Sequence, residues 1–264
     1  MPGFGFDIFR YNPLMGGIAF DPDAQAFITA ASITDPTQQS AVNQLVLHLK
    51  GYSLWTKGSV ILPYLGGNAT AHRVNLKTAT NGITFSGGVT HNSNGVTYNG
   101  TTGYGSVNFQ TTVANQYNRS IFQYIRTQST LDGTSWQGAF NGTNAFGFQN
   151  TSQSTYRLLS VGLNNLASPN LSINYGLLGV TVTANNSSKA YNGSTVKTTN
   201  NTPNATPNSN EACYSGALNN SGSPILYSGS NVAFEFYGDG LTDTDVSNLN
   251  TAVQTFQTTL GRNV

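Results

Sequence analysis

The sequence predicts a mainly β protein: an antiparallel two-sheet sandwich with short N-terminal helices and one C-terminal helix. Three observations support this fold class. Short segments of alternating polarity, separated by turn residues, run from about residue 58 to residue 238. Two segments with helix-start signals precede them. An amphipathic segment that ends in glycine follows them.

The strand region is identified by alternation and by turn dipeptides. In SIFQYIRT (residues 120–127) we expect Ile121, Gln123 and Ile125 to face one side of a sheet, and Phe122, Tyr124 and Arg126 to face the other. Asn-Gly pairs favour hairpin turns because both residues accept positive φ. Such pairs begin at Asn94, Asn99, Asn141 and Asn192. The Asn-, Ser- and Thr-rich residues 184–223 are expected to form a surface excursion or an edge hairpin.

Two helix starts lie before the strands. Asp21 precedes Pro22, and Asp35 precedes Pro36, which is the pattern of an N-cap followed by proline in the first turn. The predicted helices cover residues 22–33 and 36–50. Gly51 stands where a left-handed residue would end the second helix.

The C-terminal helix is predicted over residues 243–260. Thr242 and Asp245 have the spacing of a capping box, with Asp in place of the usual Glu, and Gly261 ends the helix. We see no linker between independent domains. The chain is therefore divided into an N-terminal arm (1–20), a helical lead-in (21–57) and a sandwich that includes the last helix (58–264).

The N-terminal arm is aromatic and lacks periodicity. It is expected to dock on its own domain or on a neighbouring subunit. The docking residues are Phe4, Phe6, Phe9 and Tyr11. The arm also lacks the basic-then-apolar order of a secretion leader.

Composition excludes several classes of function. Only 8% of residues are charged and the formal net charge is +1, whereas nucleic-acid binding needs clustered Lys and Arg. A single cysteine, Cys213, leaves no disulfide framework and no thiolate metal cage, and we expect its thiol to be inert. No apolar run is long enough to insert in a membrane.

The acidic residues are placed unfavourably for catalysis. None lies between Asp35 and Asp132, or between Asp132 and Glu211. Glycoside hydrolysis needs two carboxyl groups beside the scissile bond. Glu235 and Asp239 are the nearest imitation, but residues four apart on a strand lie about 13 Å apart, too far for a retaining pair. We therefore expect Glu235 to be an edge charge and Asp239 to shape a turn.

No other chemistry is indicated. His48, His72 and His91 share no metal-ligand spacing, and no serine nucleophile elbow or phosphate loop occurs. The sequence predicts a protein that is not an enzyme and has neither a cofactor nor a metal site built from side chains. A calcium ion held by loop carbonyls is left open.

What remains is an uncharged surface suited to sugars. Neutral sugars are held by aromatic faces together with amides and hydroxyls, and such side chains are abundant. The candidate glycan-binding residues are Trp136, Tyr98, Tyr104 and Tyr156, with Tyr214 as a further candidate. For any one of them, packing in or on the edge of the sandwich is the commoner role.

Three stretches resemble a module of bacteriophage tail-fibre and other virion proteins. Residues 21–77, with WTK, LPYLGGNATAH and NLK, resemble its opening, and residues 238–264, with GDGLTDTD and LGR, resemble its end. Between them, the GGVTHNSNGVTYNGTTGY run resembles its strands. The resemblance implies a concanavalin-A-like, laminin-G-like sandwich of the jelly-roll kind. It supplies no catalytic residues.

The resemblance and the composition together imply a non-enzymatic virion structural protein. Because little precedes the module, we expect a capsid decoration, head-fibre or tail-tip subunit rather than a long tail fibre. Its partners would be other virion proteins, sister copies in a homo-oligomer (a trimer above all) and a host glycan. Assembly would take place in the host cytoplasm, with release by lysis. A glycan depolymerase or hydrolase on the same fold is the alternative.

Overall fold

The structure of the chain, a computed structural model, is described for residues 19–112, 114–127, 135–141, 145–152, 155–159, 166–167, 175–201 and 210–264. For residues 135–136, 149–152, 155–159 and 166–167 the description covers the backbone alone. The described residues form four helices: α1 (Pro22–Ala30), α2 (Pro36–Gly51), α3 (Ala69–His72) and α4 (Asp243–Thr259).

The described residues also form nineteen strands. In chain order these are β1 (Gly58–Leu62), β2 (Val74–Asn75), β3 (Thr80–Asn81), β4 (Ile83–Ser86), β5 (Val89–Asn92), β6 (Gly95–Tyr98), β7 (Tyr104–Gln110), β8 (Arg119–Thr127), β9 (Ser135–Phe140), β10 (Ala145–Ser152), β11 (Thr155–Leu159), β12 (Leu166–Ala167), β13 (Gly176–Ala184), β14 (Ser187–Asn192), β15 (Thr195–Asn200), β16 (Ala212–Ser215), β17 (Leu218–Asn220), β18 (Ser223–Ile225) and β19 (Asn231–Gly238).

The strands form two stacked sheets, which confirms the predicted sandwich. The helix-backed sheet has the order β15-β14-β13-β8-β19-β6-β5, and β1 pairs with β19 beside β6. The outer sheet has the order β12-β11-β10-β9-β16-β7-β4, with β17 and β18 attached to β9. Strands β2 and β3 form a separate ribbon. The ladders of the described strands are antiparallel except β9–β17.

Strand β8 lies at the centre of the helix-backed sheet, and both of its faces are buried. Ile121 and Ile125 pack between the two sheets. Phe122 and Tyr124 point the other way, into a second core beneath the helices. The alternation predicted for this strand is therefore confirmed. Each of these large side chains contributes about 1.5–3 kcal/mol when fully buried.

The helices form a third layer on the helix-backed sheet. The residues that meet there are apolar and come from α1, α2, α4 and the outward faces of β8, β13 and β19. Among them are Phe27, Leu45, Leu49, Phe122, Phe234, Phe236, Leu249 and Phe256. The sandwich core and this helix-facing core share the same central strands, so each stabilises the other.

The predicted helix starts are confirmed. Asp21 and Asp35 accept hydrogen bonds from the backbone of the first turns of α1 and α2. Thr242 and Asp245 form the complete capping box of α4. Gly261 has φ +63° just beyond α4, as its predicted role requires.

The prediction that Gly51 is the left-handed residue that ends α2 is wrong. Gly51 is still helical, and the left-handed residue is Ser53, with φ +59°. The backbone N–H of Leu54 donates to the carbonyl of Leu49 at 2.8 Å, and the Leu54 side chain is fully buried. The turn is thus placed where it carries Leu54 into the core. The first helix also ends at Ala30, three residues before its predicted end.

Three of the four Asn-Gly pairs that were predicted to form turns lie at hairpins. The hairpins join β5 to β6, β9 to β10 and β14 to β15. The hairpin predicted at Asn99 is wrong, because this pair lies in the loop that crosses from one sheet to the other. The Oδ1 atom of Asn99 accepts from the backbone N–H groups of Thr101, Thr102 and Gly103, which organises a crossover loop.

The segment 184–223 is only partly an excursion. Strands β14 and β15 form the expected edge hairpin. By contrast, β16 lies inside the outer sheet between β9 and β7, and its Cys213 is fully buried in the sandwich core. Alternation is hard to detect in so short a strand among Asn and Ser residues.

Arg262 joins the layers beyond the end of α4. Its guanidinium is 2% exposed and donates to the carbonyls of Pro63 (3.2 Å), Tyr64 (2.9 Å) and Ala233 (3.1 Å). Its Nε donates to Oε1 of Gln257 at 2.9 Å. The chain end is thereby bonded to the segment after β1, to β19 and to α4. Burial lowers the pKa of Arg262 to about 9, so the group remains charged at neutral pH.

Replacement of this side chain tests its importance. We expect Arg262→Ala to lower the free energy of unfolding by about 3 kcal/mol or more, because several buried carbonyls lose a charged donor. Arg73→Ala, at an exposed position, should change it by less than about 0.5 kcal/mol. Urea denaturation of both variants measures the difference, and equal effects would contradict the role of Arg262.

Candidate functional site

The outward surface of the outer sheet carries a row of uncharged polar side chains. Along β7 the burial alternates: Val107 and Phe109 lie in the sandwich core, whereas Ser106 is half-buried and Asn108 and Gln110 are exposed. Alternation along a strand places these last three on one face. We call this surface, with Tyr104 and its flanking residues on β4 and β16, the outer face.

Small side chains flank the row on β4 and at its Gln110 end. On β4, Thr84 pairs with Ser106. On β16, Ala212 pairs with Gln110, and Tyr214 pairs with Ser106. An open depression of about 520 Å³ results, lined by Ser106, Val107, Asn108, Gln110 and Ala212. A volume of this size lies within the range typical of small-ligand sites.

Aromatic rings stand at one end of the row. The rings of Tyr104 and Tyr214 are stacked, with centroids 4.8 Å apart and planes 30° apart. Tyr227 meets Tyr104 edge-on at 6.5 Å. The hydroxyl of Tyr214 donates to the carbonyl of Gly222 at 3.3 Å, which fixes that ring from the loop side. Tyr104 and Tyr227 are half-buried, so part of each ring is accessible.

The outer face has hydrogen-bonding capacity but no positive charge. Strands β4, β7 and β16 contain no Lys or Arg. Glu211 precedes β16 and lies beside the Gln110 end of the row. Its charge raises the pKa of Tyr214 further, after burial and Tyr104. Within the described part of the chain, the side chains of Ser106 and Gln110 make no hydrogen bond. Such a surface can stack on a sugar ring and bond its hydroxyls.

The four predicted glycan-binding residues are placed differently. Tyr104 lies on the outer face. Tyr98 does not, because its ring is 1% exposed in the sandwich core and its hydroxyl donates to Ser215 at 2.8 Å. A buried ring cannot stack on a ligand, so this prediction is wrong. Trp136 and Tyr156 belong to β9 and β11, and their side chains lie outside the described residues.

The predicted docking arm cannot be placed. Residues 1–18, which include Phe4, Phe6, Phe9 and Tyr11, lie outside the described residues. Tyr214, the further candidate, stacks on Tyr104, a pairing that the sequence does not predict because it depends on β16 lying next to β7.

Glu235 is a fully buried carboxyl, not the edge charge that was predicted. It accepts from Nε2 of Gln123 (2.8 Å), from the hydroxyl of Tyr237 (2.8 Å) and from the hydroxyl of Ser215. Ser215 in turn accepts from the hydroxyl of Tyr98. Burial raises the pKa of Glu235 to about 7, although these donors oppose the shift. The carboxyl is the centre of a core network and is out of reach of a substrate.

His72 and His91, which share no metal-ligand spacing in the sequence, are in contact in the structure. The Nδ1 atoms of His72 and His91 lie 3.0 Å apart, and the ring of His91 packs edge-on against Phe85. Burial, followed by the charges of His91 and Arg262, lowers the pKa of His72 to about 3. Among the described residues no three His, Cys, Asp or Glu side chains come together in a metal-binding arrangement.

The residues that carry the virion-module resemblance hold the fold together. Lys57 forms an ion pair with Asp245 of the α4 capping box at 2.6 Å. The ammonium of Lys77 lies 4.5 Å from the centre of the Trp55 ring and donates to the Trp55 carbonyl at 2.7 Å. These motifs are therefore structural, and the outer face is the candidate site. No helix within the described residues is long and apolar enough to cross a membrane.

Comparison with known proteins shows the fold alone. No protein-family model matches the chain, and no curated protein matches its sequence. Among solved structures, a Trypanosoma rangeli sialidase mutant with trans-sialidase activity is similar (TM-score 0.56, 14% identity), with 83% of this chain aligned to 39% of the sialidase. The chain thus spans about two fifths of that enzyme.

Two further structures are similar. One is domain 4 of an extracellular arabinanase from Geobacillus stearothermophilus, in complex with arabinotriose (TM-score 0.52, 16% identity, 74% of this chain and 98% of the domain). The other is from botulinum neurotoxin type C, whose cell entry depends on interaction with two ganglioside molecules (TM-score 0.57, 14% identity, 76% and 52%).

The raised pKa of the buried Glu235 carboxyl predicts how the free energy of unfolding depends on pH. A folded-state pKa near 7, above the ordinary 4.5, means that the folded protein retains this proton. The resulting stabilisation is complete below pH 4.5 and is lost as the pH rises through about 7. The unfolding free energy of the parent minus that of Glu235→Gln should fall by on the order of 3 kcal/mol from pH 4.5 to pH 8.

The unfolding free energy of the parent must be compared with that of Glu235→Gln, because His72 is present in both proteins and its titration changes the stability in the opposite direction. Its lowered pKa costs stability as the pH falls below 6.5. Asp239→Asn removes a carboxylate from an exposed position and serves as the control. If the parent and Glu235→Gln show parallel pH profiles in urea denaturation, the proton on Glu235 has no such role.

Proposed function

We propose that the protein is a non-catalytic subunit of a bacteriophage particle whose outer face binds uncharged carbohydrate of the host surface. The observation that carries the carbohydrate part is the Tyr104–Tyr214 stack at the end of a row of amide and hydroxyl side chains. Aromatic faces together with a few placed polar groups are what an uncharged sugar needs.

The similar folds support a carbohydrate ligand. One of those structures contains arabinotriose, and another concerns a toxin that depends on gangliosides. At 14–16% identity these similarities concern the architecture, so the ligand class rests on the outer face itself. The absence of Lys and Arg from β4, β7 and β16 favours a neutral ligand such as an arabinan over a sialylated one.

The placement of the carboxylates favours binding over hydrolysis. Asp21, Asp35 and Asp245 cap helices, and Asp243 pairs with Lys189 at 2.7 Å. Glu235 is buried in the core. A hydrolase needs an acid and a second carboxylate at one open site. A depolymerase on this fold remains the alternative, and its signature would be released oligosaccharide.

The virion part of the proposal rests on the resemblance of residues 21–77 and 238–264 to phage virion modules. The aromatic N-terminal arm would attach the subunit to a capsid, a tail or a sister copy. A homo-oligomer, most simply a trimer, would present several outer faces, and multiple weak contacts would then give firm adhesion.

Carbohydrate binding is tested on an array of host-surface and neutral plant and bacterial glycans, arabinan oligosaccharides included. We expect Tyr104→Ala to weaken binding about tenfold, since a stacking surface is lost. Tyr175→Ala removes an aromatic ring that is 46% exposed and lies outside the outer face, and it should bind as the parent does. Oligosaccharide released from the same glycans would instead support the depolymerase.

Attachment to particles is tested by deleting residues 1–18. We expect the shortened protein to fold, with an unchanged circular dichroism spectrum, because α1 begins only at Pro22. Incorporation into particles, measured by mass spectrometry of purified virions, should be lost. Normal incorporation of the shortened protein would refute the docking role of the arm.

A further inference from the structure

We infer that the outer face binds the interior of an extended, uncharged polysaccharide chain lying along β7, and not a single terminal sugar. This inference rests on the proposed carbohydrate function and specifies the form of the ligand. Three features carry it: the length of the polar row, the low flanks of the depression and the distribution of charge.

The polar row is long. Tyr104 and Gln110 are six residues apart on β7. At about 3.4 Å per residue, their side chains stand about 20 Å apart along the strand. Ser106 and Asn108 stand between them at intervals of about 7 Å. One sugar ring cannot contact both ends, whereas a chain of several units can.

The flanks of the row are low except for one ring at its aromatic end. Thr84 and Ser86 border it on β4. On β16, Ala212 borders Gln110, and Tyr214 stands beside Ser106. Recognition of a terminal sugar needs several polar groups that converge on one ring inside a closed pocket. Here the polar groups follow one another in line, beside an open depression of about 520 Å³. This arrangement suits repeated contacts with successive units.

The charges exclude an acidic chain. The strands that carry the outer face have no cation, and Glu211 lies beside the Gln110 end of the row, where its carbonyl accepts from the backbone N–H of Thr111. A sialic or uronic acid polymer would face this carboxylate without a positive partner. The ends of the row also differ chemically, since Tyr104 offers a ring and Gln110 an amide, so their contributions can be separated.

The test uses linear, uncharged glucan, mannan, galactan and arabinan fragments of two to ten units. Polysialic acid and hyaluronan fragments of the same lengths form the anionic set. We expect affinity for at least one uncharged series to rise about tenfold or more between two and six units and then to level off, because each added unit gains contacts until the row is filled. The anionic fragments should not bind.

Two variants locate the chain on the row. Tyr104→Ala should weaken binding of all fragments, whereas Gln110→Ala should weaken only the long ones, by about fivefold. Gln25→Ala, at an exposed position on α1, is the matched control and should have no effect. Circular dichroism and thermal melting of each variant show that it is folded.

The outcomes separate this inference from the proposed function. Equal affinity for two-unit and ten-unit fragments, preference for the anionic set, or insensitivity of long fragments to Gln110→Ala overturns the extended-chain mode. Periodate-sensitive binding to host envelopes without binding to any linear uncharged fragment also overturns the extended-chain mode. In that case the proposed carbohydrate-binding function is retained. If neither envelopes nor fragments are bound, the proposed function itself fails.

Discussion

The buried guanidinium of Arg262 is the contact on which the assembly of the layers depends. It donates to the carbonyls of Pro63 and Tyr64 after β1, to the carbonyl of Ala233 in β19 and to the side chain of Gln257 in α4. A buried cation is costly unless its donors are satisfied, and here Nε and both Nη atoms have acceptors. Those acceptors are mostly backbone carbonyls. The hydrogen bonds of Arg262 therefore depend on the path of the backbone and not on particular side chains. This dependence explains why the LPYLGG and LGR runs lie in contact although about 200 residues separate them.

The interior of the sandwich is fixed in a similar way by polar side chains. Glu235, Gln123, Ser215 and Tyr98 form a network between two apolar regions of the core. Such a network stabilises one arrangement of the sheets only when its polar groups find hydrogen-bond partners. It therefore favours one strand register over other compact arrangements. The carboxyl that looks most like a catalytic residue in the sequence is thus used for packing. None of the four helices in the described part of the chain packs on the outer sheet, which presents a different and uncharged surface.

Much of the fold could be predicted because short-range sequence patterns determine it. The Asp-Pro helix starts, the capping box at Thr242 and the alternation of β8 depend on neighbours a few residues away, and all are confirmed. The failures concern residues whose role is set by distant parts of the chain. Ser53 replaces Gly51 as the left-handed residue because Leu54 is drawn into the core, and Glu235 is buried because Gln123 and Ser215 approach it from other strands. Tyr104 and Tyr214 were both candidates from the sequence, but their pairing could not be predicted, since Tyr214 comes from a strand that the sequence pattern does not reveal.

The central claim is that the outer face is the binding surface and that the motifs at the two ends of the chain are structural. Backbone amide chemical-shift mapping with an uncharged oligosaccharide tests it most directly, because it reports every contact region at once. We predict that the largest shifts fall on β4, β7 and β16, around Tyr104, Ser106 and Tyr214. The helical layer and the surroundings of Trp55 and Arg262 should remain unshifted. Shifts confined to the helical layer, or centred on Glu235 and Asp239, would contradict the claim.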